Sequence, residues 1–438
     1  MGPERYWLLP TIFWFNATDG FLNLVCGVGT AFSLLAVLGL LQGPLFFCLW
    51  IFYLSLTIIC WDFLGFQWDN LLLEIGFLSI FFSPWKLFTK TSFKSQPSDV
   101  VLWLFRVLLF KLMFSSGIVK LSSHDSAWWN LTALTFHYET QPLPTWIGWY
   151  VHQLPAWFQK ISAVVMFGIE LFVPFLIFSP KRFLRLFACW ALIGFQILIL
   201  LTGNYCFFNL LAIALCVLLI DDESWPAWIK KRFQMPSEST LVHSNNWSKV
   251  IVTPITIMFI LISTMQIGGV FRSHIPWPRS LVNFHRLLSP FRTVNSYGLF
   301  AVMTTKRSEI VVEGSNDGQT WLAYEFKWKP GDLKRRPAFV APHQPRLDWQ
   351  MWFAALGTYE DNPWFVSFLE RLLEGSPKVL ALLANNPFPN APPHYIRAVM
   401  YDYKFTDLKM KKQEGIWWER SRKKLYFPAI SLKPKAFN

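Results

Sequence analysis

Three cations stand inside one bilayer-length apolar run, residues 100–121: Arg106, Lys111 and Lys120. A cation at that depth is costly unless it is paired, hydrated or able to snorkel, so the run needs a reason to keep three. At about 100° per residue, Arg106 and Lys120 share nearly one helix face and Lys111 takes the opposite one. Asp62, Asp69, Glu74 and Glu170 are the carboxylates available to answer them, and the set is read as an intramembrane charged network. Lys120, last in the run, supports two chemistries. It can snorkel its ammonium to the headgroups, or, desolvated, it can act as a free amine that takes a proton.

The segment that follows, AWWNLTALTFHYETQPLP, is aromatic and punctuated by proline. His124, Asp125, His137 and Glu139 lie in or beside it, but no His-x-x-x-His pair occurs, so no metal is expected. Trp128, Trp129, Phe136, Tyr138 and Trp146 are expected at the membrane interface as an aromatic belt. No GxGxxG opens a helix, and there is no phosphate loop and no GxSxG. No cofactor is expected, except a lipid-soluble quinone if Lys120 works as a base.

The elements that must position these residues are apolar. Of 438 residues 53% are hydrophobic and 15% charged, against about 25% charged in ordinary soluble domains. Segments near 21–41, 45–63, 70–82, 100–121, 157–178, 183–202, 205–220 and 250–270 give about eight transmembrane candidates. The third is short and carries Glu74. Residues 1–270 are therefore read as an α-helical polytopic membrane domain, and 271–438 as a soluble α+β domain. That tail holds 25 Lys and Arg against 14 Asp and Glu, so it carries +11 of the chain's net +13.

Short loops set the orientation. Lys86, Lys90 and Lys94, then Lys181, Arg182 and Arg185, then Lys230, Lys231 and Arg232 fall on one side, which is expected to be cytoplasmic. The aromatic loop, the N-terminus and the tail then lie on the lumenal or periplasmic side. Asn16 and Asn130 head sequons on that side and are glycosylation candidates, while the Asn246 sequon faces inward. An N-terminus outside the membrane with no signal to carry it there points to a preceding transmembrane segment. The translocated location of the basic tail argues against nucleic acid and for a client protein or membrane lipid.

Within the tail, 310–313 and the TWLAYEFKW run read as a hairpin around an Asn-Asp-Gly turn, and PAFVAPHQP as an extended connector. A helix is expected from Pro363, stopped at Gly375, and another capped by Ser376. HYIRAVMYDYKF and GIWWERSRKKLYF favour strand. RLDWQMWFAAL is apolar on most faces and reads as core or client groove.

FRVLLFKLMFSSGIVKL, WWNLTALTFHYETQPLP, GNYCFFNLLAIALCVLLIDD, VEGSNDGQTWLAYEFKWKPGD, PAFVAPHQPRLDWQMWFAALG and NPWF, in that order, resemble the lipase maturation factor family over nearly the whole chain. The resemblance implies a multi-pass protein of the endoplasmic reticulum membrane, or of an inner membrane in bacterial relatives. It also implies a lumenal tail that contacts secreted lipases and helps them reach their dimers. Asp348, Trp349, Trp352, Trp321 and Trp364 lie in its tail motifs and are the candidate client-binding residues. The family carries a further membrane segment before the GPERYWLLP-like stretch at which this chain begins. SSGIVKL and the loop after it are also similar to one membrane segment of vitamin K-dependent gamma-carboxylases. That narrower likeness implies a proton-abstracting role for Lys120, and hence a rival reading as a carboxylase-like or quinone-dependent enzyme. A transporter is disfavoured, because no internal repeat is visible.

Overall fold

The computed structural model describes residues 2–87, 97–232, 247, 249–271 and 275–432. Lys90, Lys94 and the Asn246 sequon lie outside the described residues. Contacts gather the chain into two compact units, neither of them continuous in sequence. One comprises Met1–Asp125, Val165–Gln196 and Phe208–Val302; the other comprises Ser126–Val164, Ile197–Phe207 and Met303–Asn438.

The longer helices of the first two-thirds of the chain are α1 (Asp19–Val37), α2 (Gln42–Ile59), α3 (Gln67–Phe82), α4 (Asp99–Ser122), α5 (Ala156–Leu171), α6 (Arg182–Thr202), α7 (Phe208–Val217), α8 (Lys249–Val270) and α9 (Arg279–Leu288). Six are long and apolar enough to cross a membrane: α1, α2, α4, α5 with its continuation to Phe178, α6 and α8. Eight were expected. The two that fall short are α3, with 16 residues, and α7, with 10; at about 1.5 Å per residue neither reaches across a hydrocarbon core of about 30 Å on its own.

In the first unit α4 is the central helix. It packs against α3, α7, α8 and the turn Val173–Phe178, and 67% of its apolar window is buried against 11–28% in the other five spans. Leu104, Leu108 and Leu109 are fully buried along it. Gly117 sets one of its approaches, because a Cβ there would stand 2.7 Å from Leu171 and 3.0 Å from the Cβ of Glu170. At one end of the bundle the cationic loop before α6 meets the acidic turn after α7. Arg182 pairs with Glu223 at 2.6 Å and Arg185 with Asp221 at 2.5 Å. Two of the three basic loops that the charge reading assigned to one side are thereby brought together.

The second unit is built on an antiparallel sheet of order β2-β1-β5-β6, where β1 is Arg307–Ser315, β2 Leu322–Ala323, β5 Tyr395–Phe405 and β6 Trp418–Ile430. A smaller pair joins β3 (Glu325–Phe326) to β4 (Leu383–Asn385). The β1–β2 hairpin forms where the turn residues predict it. Asp317 Oδ1 accepts from the N–H groups of Gln319 and Thr320, and Gly318 supplies φ +70°. Helices α10 (Arg346–Ala354), α11 (Pro363–Leu373) and α12 (Leu408–Glu414) complete the unit. Gly375 at φ +66° stops α11 as expected, whereas the helix capped by Ser376 is a single turn, Pro377–Leu380.

Phe365, Phe368, Leu369 and Leu372 of α11 and Met351 of α10 cover Ile310, Val312, Ile396, Ala398 and Met400 of the sheet. RLDWQMWFAAL is thus core. A second cluster joins Tyr138 and Trp149 to Tyr403, Phe405, Trp417 and Trp418. This corrects the aromatic-belt expectation: Trp128 and Tyr138 are buried, and only Trp129 stands largely exposed. The reason is that flat apolar rings gain more by closing a protein core than by standing at a bilayer edge when a matching aromatic face is available.

Candidate functional site

Three separated stretches of the second unit meet at a polar junction: the HYETQPLP segment, which is the end of the short helix Leu134–Thr140 and the residues after it, the GNY turn after α6, and the connector before α10. Asn204 is its hub and is fully buried. Its Nδ2 donates to the carbonyls of Leu143 at 3.0 Å and Ala338 at 2.8 Å, while its Oδ1 accepts from the N–H groups of Val340 at 2.7 Å and Ala341 at 3.0 Å. A side-chain amide offers two donors and one carbonyl with two lone pairs, so every hydrogen-bonding position of Asn204 is used.

Gln141 does the same work one turn away. Its Nε2 donates to Thr202 O at 2.8 Å, and its Oε1 accepts the hydroxyl of Tyr205, which also lies 2.9 Å from His137 Nε2. Gly203 makes the approach possible, since a Cβ there would stand 2.2 Å from Gln141 Oε1 and 2.5 Å from the Tyr205 ring. Thr145 caps the next helical turn from Gly148 N–H and donates to Leu201 O at 2.9 Å.

From the sheet, Arg307 of β1 enters the same segment. Its guanidinium donates to the carbonyls of Glu139 at 2.7 Å and Pro142 at 2.9 Å, to that of Gln141, and to Glu309 at 2.9 Å. Glu309 is also met by Lys329 at 2.8 Å. Trp352 Nε1 donates to Thr140 O at 2.8 Å. Asp348 is buried and accepts from the N–H groups of Trp328 and Lys329, both at 2.8 Å; burial pushes its carboxyl above the ordinary carboxylate value, against the pull of those two donors.

The tail residues singled out from sequence therefore divide. Asp348, Trp349 and Trp352 lie inside the unit, where they hold the junction and the core and offer little surface to a client. Trp321 and Trp364 are partly exposed; Arg397 stacks on the Trp321 ring at 3.9 Å. Asn204, Gln141, Gly203 and Arg307 were not singled out. A lone polar residue closing an apolar run was the available signal for Asn204, and none marked Arg307.

In the first unit the expected charged network resolves into two separate pairs. Lys120 Nζ lies 2.7 Å from Glu170 Oε2 and donates to Ser116 O at 2.9 Å. Its head is held inside the protein and does not snorkel. Lys111 meets Glu74 Oε1 at 2.6 Å. The other oxygen of Glu74 accepts Tyr297 OH at 2.7 Å and Asn295 N–H at 2.8 Å. Asp69 bonds Tyr53, and Asp62 is exposed. Among the described residues Arg106 Nε has no hydrogen-bond partner. Asn16 and Asn130 are both exposed. Among the described residues no three His, Cys, Asp or Glu side chains are placed to share a metal ion.

Comparison with known proteins matches the chain in two consecutive stretches. Residues 2–227 match the family model described as the lipase maturation factor transmembrane domain, and 293–428 the one described as the lipase maturation factor C-terminal domain. The chain is 37% identical to lipase maturation factor 2 of Gallus gallus, covering 97% of this chain and 74% of that protein. Against the Homo sapiens protein of that name the identity is 36%, over 98% and 76%. Against lipase maturation factor 1 of Mus musculus it is 35%, over 97% and 77%. No solved structure matches.

Proposed function

The chain belongs to the lipase maturation factor family, and on that premise we propose that it assists secreted lipases to fold and assemble as dimers. It does so from the endoplasmic reticulum membrane, with the tail in the lumen. The similarity that carries this reading runs through both domains at 35–37% identity, not through one motif. The tail binds the incompletely assembled client and covers surface that the finished dimer buries. Such binding favours the non-native client and releases it on assembly. The basic loops at Arg182, Arg185 and Lys230 support a cytoplasmic placement for their end of the bundle.

Lys120 enters this reading as a structural cation, because Glu170 and the Ser116 carbonyl already hold its ammonium. The test is secretion of an active dimeric lipase from cells lacking their own factor and supplied with this chain. Removing residues 303–438 should abolish secretion. The paired replacement Lys120→Met with Glu170→Leu should retain it at normal abundance. Secretion that survived tail removal would overturn the proposal; secretion lost specifically with the paired replacement would return Lys120 to catalysis.

A further inference from the structure

Among the described residues, the last strand of the sheet has one side that no other strand covers. In the order β2-β1-β5-β6, β6 is terminal, and among the described residues no strand pairs with its outer edge; only the N–H of its first residue, Trp418, is taken, by the carbonyl of Leu333 at 3.3 Å, which leaves the edge from Glu419 onward open. Seven consecutive residues, Glu419–Leu425, are exposed. Four of the seven are cations: Arg420, Arg422, Lys423 and Lys424. With Lys404 of β5 and Lys409, Lys411 and Lys412 of α12, residues 404–425 hold eight Lys or Arg against three Asp or Glu.

Both faces of the edge carry positive charge. Arg420 lies over the Tyr401 ring at 4.9 Å and donates to Tyr403 OH. Lys423 reaches Asp402 and Ser308 on the other face, each at 3.2 Å. Arg422 and Lys424 project without an intramolecular salt bridge among the described residues. From Trp418 to Arg422 the pairing with β5 is regular, and the register shifts only beyond it, so the first half of the strand is straight enough to accept a neighbour.

We infer that the outer edge of β6 receives an extended acidic segment of a client chain as a fifth strand. Cations on an edge normally prevent association, because neutral and basic strands are repelled or left with buried charge. The same cations attract an acidic strand, whose backbone can then complete the unmatched N–H and C=O row. A lipid surface could answer the charge but not that backbone row, which is why a polypeptide is the occupant. The inference rests on the client-binding reading above and gives that reading a surface.

The test uses the purified full-length chain in detergent and short capped fluorescent peptides, with anisotropy as readout. A peptide alternating glutamate and threonine should bind. Replacing one central threonine by proline, which removes a ladder N–H, should weaken it at least tenfold. The double replacement Arg422→Glu with Lys424→Glu, at exposed positions that leave the melting temperature unchanged, should abolish binding of the acidic peptide and create binding of a lysine–threonine peptide. Equal binding of the acidic peptide and its proline variant would overturn strand addition. So would binding to phosphatidylserine vesicles with none to either peptide. Because no secretion is measured, a failure here leaves the maturation role itself standing.

Discussion

Both units bury cations, and they satisfy them in different ways. In the helical unit Lys111 and Lys120 each meet one carboxylate from a neighbouring helix, Glu74 and Glu170. In the other unit Arg307 is spread over three backbone carbonyls, that of Glu139 in the last turn of the short helix Leu134–Thr140 and those of Gln141 and Pro142 just past its end, as well as Glu309. The difference follows from the backbone. Helical carbonyls already accept i→i−4 bonds and have only a second lone pair to offer, as Ser116 O does to Lys120, so a buried cation among helices is answered chiefly by another side chain. The C-terminal turn of that short helix and the residues after it have carbonyls to spare, and a planar fork of five donors can collect them. A helix pair is therefore exchangeable as a unit, whereas the Arg307 site has no partner that can be swapped with it.

The comparison breaks most visibly under single replacements. Glu170→Ala leaves an unanswered ammonium and should cost about 3–5 kcal/mol, read as a lowered melting temperature in detergent or as lost abundance. Adding Lys120→Met to Glu170→Leu should restore most of that stability, since apolar side chains often replace a buried pair without loss. If the double variant melts as low as Glu170→Ala, the pair is not the independent unit described here.

Arg307→Met should cost a similar amount, and no second change at Glu309 should rescue it, because the three carbonyls stay unsatisfied. Rescue by Glu309→Leu would erase the distinction between the units. Asn204→Asp, which keeps the shape and the acceptors but removes both donors, should cost about 2 kcal/mol, seen as earlier proteolysis of the second unit. The smallest effect concerns pH. Burial pushes the hydroxyls of Tyr138 and Tyr403 up to about 12 from 10.0. The folded state thus keeps protons that the unfolded chain sheds above pH 10, so stability should fall as pH rises from about 10 to 12. Tyr138→Phe should flatten that slope in alkaline melts; an unchanged slope would place the ring in water.

Much of the fold was legible because periodicity and turn chemistry are local. The spans of α1, α2, α4, α5, α6 and α8, the Asp317 turn, the Gly375 stop and strands β5 and β6 follow from runs of a dozen or so residues. The burial of Tyr138 was not legible. A loop between two apolar runs reads as interfacial until the tail aromatics Phe405, Trp417 and Trp418 are placed against it, and nothing local announces a partner more than 250 positions away. For the charges, sequence supplied the correct carboxylates, Glu74 and Glu170, but could not assign them or set aside Asp62 and Asp69. Arg307 was missed because its partners are carbonyls, which every residue has.

The second unit draws on stretches at 126–164, 197–207 and 303–438, and that gives it a schedule. Met303 follows Val164 by 303 − 164 = 139 positions of chain. At a synthesis rate of about 5–20 residues per second, the first stretch exists for roughly seven to thirty seconds before the residues that will cover it begin to be made. During that interval Tyr138 and Trp149 lack Phe405 and Trp418, and the carbonyls of Glu139 and Pro142 lack Arg307. This chain, read as a helper of unfinished proteins, is itself exposed as one while it is being made. Its own tail is the last partner to arrive.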